Sequence, residues 1–105
     1  MKNKIEDGFV RRMEHVVWKV VDGKGILLNL EDGGYFDVDR VGLMVWQWCD
    51  GKKRLSEVSL KASRRFKANP DRVRKDVTSF IDDLKKRCLI ELTGRPTPTV
   101  PAGRA

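Results

Sequence analysis

GILLNLEDGGYFDVDRVGLMVWQWCDG, residues 25–51, is the stretch that decides the fold of this chain. An apolar segment, a glycine-containing turn, a second short apolar segment and a run with helical spacing follow one another directly. Ile26–Leu30 and Tyr35–Val38 are predicted strands. The run after Asp39 is a predicted helix that ends at Asp50-Gly51. This order predicts a domain in which a sheet comes first and helices come after it.

A further predicted strand, His15–Val21 (HVVWKVV), precedes these two segments. Short turns that contain glycine separate the three strands, which is typical of an antiparallel meander. Side chains alternate between the two faces of a strand. Phe36 and Val38 are therefore expected to face the core. Tyr35 and Asp37 are expected to point the other way.

The first predicted helix has a clear start at Asp39, whose carboxylate can accept hydrogen bonds from the free amides of the first turn. Its apolar surface is broad, which predicts a central position in the domain. That surface consists of Val41, Val45 and Trp48, with Leu43, Met44 and Trp46 beside them. Trp46 or Trp48 is expected to be largely inaccessible. Gly51 suits the left-handed position that follows a helix end.

Two more helices are predicted after the first. The second covers about Leu55–Phe66, with Ser56 as an alternative N-cap for a start one residue later. The third begins clearly, because Asn69 is an N-cap residue type and Pro70 suits the first helical position. Its apolar stripe consists of Val73, Val77, Phe80, Ile81, Leu84 and Cys88. Leu89–Leu92 is predicted to form a short strand after this helix.

Composition limits the class of protein. The chain has 105 residues, enough for one domain, and a net charge of +7. That charge favours acidic partners, namely nucleic acid, anionic lipid or an acidic peptide, without choosing among them. No apolar run is long enough to span a membrane. Residues 1–7 are polar and lack the apolar stretch of a secretory signal, so a cytoplasmic location is expected.

The residue types present do not favour metal binding or catalysis. A zinc site needs about four ligands, whereas the chain has two cysteines and one histidine. Cys49 is expected in the core and Cys88 on the apolar face of the last helix, both as reduced thiols. The EDGGY turn lacks the spacing of a phosphate-binding loop, and paired acids such as Asp82-Asp83 are typical of solvated surface. The chain is predicted to be non-catalytic and to need no cofactor or metal.

Taken in order, these segments resemble the PqqD-like proteins over about residues 9–92. The resemblance lies in WKVVDGKGILLNLEDGGYFDVDRVGLMVWQWCDG, then LSEV, then DRVRKDVTSFIDDLKKRCLIEL. It includes a YF-x-hydrophobic strand, a helix with Gly42 and Trp46, and an Asp-Gly stop. The last helix carries the remaining marks, which are Val73, Asp76, Val77, Phe80 and Leu84, followed by Leu89-Ile90.

The resemblance implies an α+β, winged-helix-like fold, in which a three-stranded antiparallel sheet is followed by three α-helices. Residues 9–92 are the expected domain, and residues 1–8 are an expected N-terminal extension. Residues 93–105 contain three prolines and, apart from Val100, no large apolar residue. This tail is therefore expected to be disordered.

The resemblance also implies a function. Such proteins are recognition elements for ribosomally made, modified peptides: they bind the leader of a precursor peptide and present it to a modifying enzyme, often a radical S-adenosylmethionine enzyme. The leader adds as a strand beside the third strand and packs against the third helix. The implied peptide-binding residues are Gly34, Tyr35, Phe36, Asp37 and Val38 on the strand and Arg74, Val77, Thr78, Ile81 and Lys85 on the helix. Because Arg74 and Lys85 are basic, an acidic leader is expected.

Three alternatives stay open at this point. The protein of pyrroloquinoline quinone synthesis usually has a Pro-Glu-Gly segment between its second and third strands, whereas this chain has LEDGG at residues 30–34, which favours other peptide pathways. A nucleic-acid-binding winged helix would use the basic run RRFKANPDRVRK, but such proteins usually place their helices before the hairpin. Homodimerisation through the open strand edge is the third alternative.

Overall fold

Six strands and three helices follow one another along residues 7–96, the part of the chain that the computed structural model describes. In chain order they are β1 (Phe9–Arg12), β2 (Val16–Val21), β3 (Lys24–Asn29), β4 (Tyr35–Val38), α1 (Arg40–Trp48), β5 (Asp50–Arg54), α2 (Leu55–Phe66), α3 (Pro70–Lys86) and β6 (Ile90–Thr93). The fold is α+β, as predicted. Residues 1–6 and 97–105, most of the expected extension and of the expected tail, lie outside the described residues.

Strands β2, β3 and β4 form the predicted antiparallel meander, with β3 in the centre. β2 and β3 meet at Asp22-Gly23, where the two residues have φ values of 53° and 79°. Positive φ at both positions is the mark of a type I′ turn, whose twist suits a two-residue hairpin. Val16, Leu27 and Val38 are buried on the inner face of this sheet. Tyr35 is exposed on the other face, as the alternation predicted.

A second sheet, in the order β5-β1-β6, is present in addition to the predicted sheet and helices. Its central strand pairs antiparallel with both neighbours. Arg11 of β1 lies opposite Glu91 of β6, and its Nε donates to the Glu91 carboxylate at 2.6 Å. Only β6 matches a predicted strand. The other two are short, and β5 (DGKKR) has no large apolar residue, so neither has the alternation that marks a strand in sequence.

Helix α1 begins as predicted, since the Asp39 carboxylate accepts a hydrogen bond from the Gly42 amide at 2.8 Å. Trp46 is 0% exposed, which confirms that one of the two predicted tryptophans is inaccessible. Val41 departs from the predicted apolar face, because it is 48% exposed. Gly51 has a positive φ of 84°, but it lies inside β5 rather than at the helix end. The chain passes almost directly from α1 into this strand.

Helices α2 and α3 have the predicted starts, with one correction. Ser56 is not the N-cap of α2, because the helix starts at Leu55. The Asp7 carboxylate instead accepts from the amide and the hydroxyl of Ser56 at 2.8 and 2.9 Å. The start of α3 is as predicted: the side chain of Asn69 accepts from two amides of the first turn, and Pro70 is the first helical residue. Both devices satisfy amides that a helix start leaves without partners.

The two cysteines have different surroundings. Cys49 is buried in the core as predicted, and its thiol donates to the Val45 carbonyl at 3.1 Å. Burial raises the pKa of this thiol to about 12. Cys88 is exposed and does not extend the apolar face of α3, contrary to the prediction. It follows the helix in the left-handed conformation (φ 60°) of a Schellman turn, in which the Leu89 amide donates to the Leu84 carbonyl at 2.9 Å.

Candidate functional site

Strand β4 lies at an edge of its sheet, with β3 on one side only. The amide of Asn29 donates to the carbonyl of Gly34 at 2.9 Å, immediately before β4 begins. Hydrogen-bonded pairs alternate with non-bonded pairs along an antiparallel ladder. The register continues without a shift, so Phe36 and Val38 also turn their backbone N–H and C=O groups toward β3.

Tyr35 and Asp37 have the opposite orientation. Their backbone N–H and C=O groups point away from β3, toward the open edge. Within residues 7–96 no strand pairs with this side of β4. Tyr35 is also 72% exposed, so its side chain does not cover the edge. An extended segment of another chain could form ladder hydrogen bonds with these groups.

A groove of about 360 Å³ runs beside this edge, between β4, α1 and α3. Its apolar part is formed by side chains from all three elements, and carboxylates lie around it. The lining residues are Phe36, Asp37, Val38, Asp39, Val41, Gly42, Val45, Asp76, Val77 and Phe80. The exposed side chain of Val41 therefore belongs to the groove. A cavity of this size can hold one or two side chains of a bound segment.

Gly42 is a point of close approach between the elements that form the groove. A β-carbon at this position would lie 3.2 Å from the Phe80 Cζ atom and 3.2 Å from the Val38 Cβ atom. Both distances are shorter than ordinary van der Waals contact. The glycine therefore lets α3 and β4 approach α1, which brings the apolar walls of the groove together.

Three carboxylates line the groove. Asp37, Asp39 and Asp76 lie around it, and the Asp39 carboxylate is occupied by the Gly42 amide. Asp37 and Asp76 are exposed, and neither has an ion pair within the described part of the chain. Two carboxylates without an ion-pair partner in this range give the groove a negative potential.

A cation contacts one wall residue of the groove, Phe36, although it does not line the groove itself. The guanidinium carbon of Arg87 lies 4.4 Å from the ring centroid of Phe36, within cation–π distance. The carbonyl of Arg87 also accepts from the Asn29 side chain at 3.3 Å. These contacts attach the end of α3 to the hairpin of β3 and β4.

The structure places the predicted strand residues as follows. Phe36, Asp37 and Val38 line the groove. Tyr35 does not line it but contributes backbone groups to the open edge. Gly34 lies just before β4, where its carbonyl accepts from Asn29 and its amide donates to the Asp32 carboxylate at 2.8 Å.

The predicted helix residues lie in different surroundings: two belong to the buried stripe of α3 and three lie on one flank of that stripe. Val77 lines the groove, and Ile81 is buried in the core at 2% exposed. Arg74, Thr78 and Lys85 are exposed and do not line the groove. At 100° per residue they lie on one flank of the stripe, whereas the groove residues Asp76 and Phe80 lie on the other. Only the second flank faces β4.

Several groove residues were not among the predicted site residues. These are Asp39, Val41, Gly42, Val45, Asp76 and Phe80, and three of them (Gly42, Asp76 and Phe80) belong to the pattern on which the resemblance to PqqD-like proteins is based. The presence of these three residues in the family pattern was the signal from which sequence reasoning could have identified them. The sequence does not indicate from which direction β4 approaches α3. That direction determines which flank of the buried stripe of α3 faces the groove.

Metal-binding clusters and membrane-spanning helices are both absent from the described part of the chain. Among residues 7–96 no group of three or more His, Cys, Asp or Glu side chains is arranged to hold a metal ion. No helix in the same range is long and apolar enough to cross a membrane. The features that the structure shows at this site are the open backbone edge, the apolar groove and the carboxylates that line it.

Comparison with known proteins agrees with this geometry. The sequence pattern of the family described as coenzyme PQQ synthesis protein D (PqqD) matches residues 24–90. That range includes β4, α1 and α3, which form the groove. No curated protein sequence matches the chain significantly.

Two solved structures are similar to the chain over most of its length. One is TbiB1 in complex with the TbiA(beta) leader peptide, with a TM-score of 0.71 and 27% sequence identity, covering 77% of this chain and 94% of that one. The other is lasso peptide synthetase B1 complexed with the leader peptide, with a TM-score of 0.69 and 15% identity, covering 79% of this chain and 98% of that one. At its lower identity, the second structure supports the fold alone.

Proposed function

The chain belongs to the PqqD family, and from this premise we propose that it binds the leader of a ribosomally made precursor peptide and presents it to a peptide-modifying enzyme. In this role it acts as a chaperone and catalyses no reaction. The observation that carries the proposal is the open edge of β4 beside an apolar groove. The similar TbiB1 structure, which contains a leader peptide, supports it.

Strand addition is the proposed mode of binding. An extended leader segment would form its ladder with the backbone groups of Tyr35 and Asp37, which point outward. Alternate leader side chains would then point toward the inner face of the sheet. There they would meet Phe36, Val38 and Val77 in the groove. The ladder contributes affinity for any sequence, and the groove contributes specificity.

The charges of the groove change the expected character of the leader. The sequence alone predicted an acidic leader, because Arg74 and Lys85 are basic, but neither residue lines the groove. Carboxylates of Asp37 and Asp76 lie there instead. A leader that places an apolar side chain in the groove and a basic or neutral side chain beside these carboxylates would fit best.

The modifying enzyme is proposed to be a radical S-adenosylmethionine maturase or another peptide-modifying enzyme, the partners that the family resemblance implies. Pyrroloquinoline quinone synthesis is the less favoured pathway, since LEDGG replaces the usual Pro-Glu-Gly segment at residues 30–34. Because the precursor is made by ribosomes, the encounter is expected in the cytoplasm. A second copy of the chain at the β4 edge would compete with the leader.

Calorimetry with the separate leader and core halves of a candidate precursor peptide tests the proposal. The leader is expected to bind with one-to-one stoichiometry, while the core half gives no heat. A leader of the same composition in scrambled order is the control for nonspecific attraction. Equal binding of both halves, or of neither, would contradict the proposed function.

A further inference from the structure

A second concave surface, of about 550 Å³, lies on the outer face of α2 and shares no residue with the groove at β4. Its apolar part is formed by Trp48 and by Leu60, which is 47% exposed. Four cationic side chains surround this apolar part: Lys53, Lys61, Arg64 and Arg65. We name this surface the α2 depression.

The positive charge of the α2 depression is not compensated internally. Glu57, its one acidic side chain, accepts from the Arg54 amide at 2.7 Å at the start of α2. Lys53 is paired with Asp50 at 2.9 Å. Lys61, Arg64 and Arg65 have no carboxylate within ion-pair distance among residues 7–96. Three cations around an apolar patch favour an acidic partner.

The side chains of the α2 depression are of the kind that anchors protein interfaces. Trp and Arg are enriched at the energetic centres of such interfaces. Stacking of nucleic-acid bases is less favoured, because a base would compete for a face of the Trp48 ring with the Lys61 ammonium, which lies 5.2 Å from the ring centroid. An apolar side chain can instead lie beside Trp48 and Leu60 while carboxylates meet the cations.

A recognition protein that delivers a peptide must contact the modifying enzyme while its groove is occupied. The enzyme contact therefore needs a surface separate from the β4 edge, and the α2 depression meets that requirement. We propose that the α2 depression binds an acidic segment of the modifying enzyme, with one apolar side chain of that segment between Trp48 and Leu60. This inference rests on the proposed function.

A displayed library of random twelve-residue peptides, selected on the full chain, tests the inference. One group of selected peptides is expected to combine Asp or Glu with an apolar anchor. Its binding should fall about tenfold in a Lys61→Glu/Arg64→Glu variant, the loss typical of an interface anchor. The matched control is Lys19→Glu/Lys24→Glu, which reverses two exposed charges outside both surfaces. Thermal melts of both variants check that the fold is intact.

The result separates this inference from the proposed function. Peptides that bind the groove should be lost in Asp37→Pro and retained in Lys61→Glu/Arg64→Glu, so each surface is scored independently. Acid-rich peptides that are absent from the selection, or that bind the variant equally, would overturn the inference. Fluorescent duplex or single-stranded DNA that binds with the same dependence on Lys61 and Arg64, in place of acidic peptides, would also overturn it.

Discussion

The Cζ atom of Phe80 lies 3.2 Å from the point that a β-carbon on Gly42 would occupy. The contact joins α3 to α1 at the floor of the groove. The same point is 3.2 Å from the Val38 Cβ atom, which lies close to the backbone of β4 and cannot easily move away. A single hydrogen-to-methyl change at Gly42 therefore affects all three elements that form the groove.

Gly42→Ala is expected to lower the free energy of unfolding by about 1–3 kcal/mol, the usual cost of overpacking. It should also weaken leader binding, because the groove walls are pushed apart. Chemical denaturation and calorimetry measure the two effects. Gly94→Ala is the matched control, since nothing lies within 4 Å of the added β-carbon there. Equal stability of the two variants would show that the contact at Gly42 relaxes without cost.

Proline scanning of β4 tests strand addition. Asp37→Pro and Tyr35→Pro remove outward amides, so both variants should fold but lose leader binding. Phe36→Pro removes an amide that faces β3 and should lower the melting temperature. Tyr35→Ala and Asp37→Ala keep the amides and should have milder effects. Leader binding that persists in folded Asp37→Pro and Tyr35→Pro proteins would exclude strand addition at this edge.

Charge reversal distinguishes the two flanks of α3. Asp76→Lys should weaken a leader with a basic residue at the rim by about two- to fivefold, the effect of an exposed ion pair. Added salt should reduce the difference. Arg74→Glu and Lys85→Glu, on the flank away from β4, should leave leader affinity unchanged. A larger effect at Arg74 or Lys85 than at Asp76 would place the leader on the other side of the helix.

Trp46 and Trp48 should differ in their contributions to stability. Trp46→Ala removes a fully buried ring from the core and should cost about 3–5 kcal/mol of unfolding free energy. Trp48 is only half-buried, so Trp48→Ala should cost less. Urea unfolding of both variants measures the difference. If the two substitutions cost the same, α1 is packed less asymmetrically than described above.

The two thiols should react at different rates. Iodoacetamide reacts with the thiolate, and burial raises the pKa of the Cys49 thiol to about 12. At pH 8 the native protein should take up one carbamidomethyl group, at the exposed Cys88, and the protein unfolded in guanidinium should take up two. Because the folded-state pKa of Cys49 is the higher one, its contribution to stability is present below pH 9 and is lost as pH rises toward 12. Rapid native labelling of Cys49 would contradict its buried position.

The parts of the fold that sequence predicts are those with local signals. Asp22-Gly23 marks a hairpin, Asp39 and Asn69 mark helix starts, and alternation orients the strand Tyr35–Val38. Each signal depends on residues that are close together in the chain. The second sheet has no such signal, because β1 pairs with strands that are distant in sequence and β5 is mostly charged.

In the candidate site, too, the parts that could be predicted are those with a local signal in the sequence. The strand and the apolar stripe of α3 are predictable, since both repeat at a fixed spacing. Which flank of the stripe faces β4 depends on the packing of three elements around Gly42, and no local pattern contains that information. The sequence-based prediction named Arg74 and Lys85, whereas Asp76 and Phe80 line the groove at β4.

Phe9 lies opposite Thr93 in the ladder between β1 and β6. The chain therefore enters and leaves the described domain at neighbouring points, in the sheet that does not contain β4. A domain whose two ends are close together can be inserted into a surface loop of a larger protein. It can also be circularly permuted by a short connection between those two points. In either arrangement the β4 edge and its groove would keep their structure, so the same domain could function within a fused enzyme or as a separate subunit.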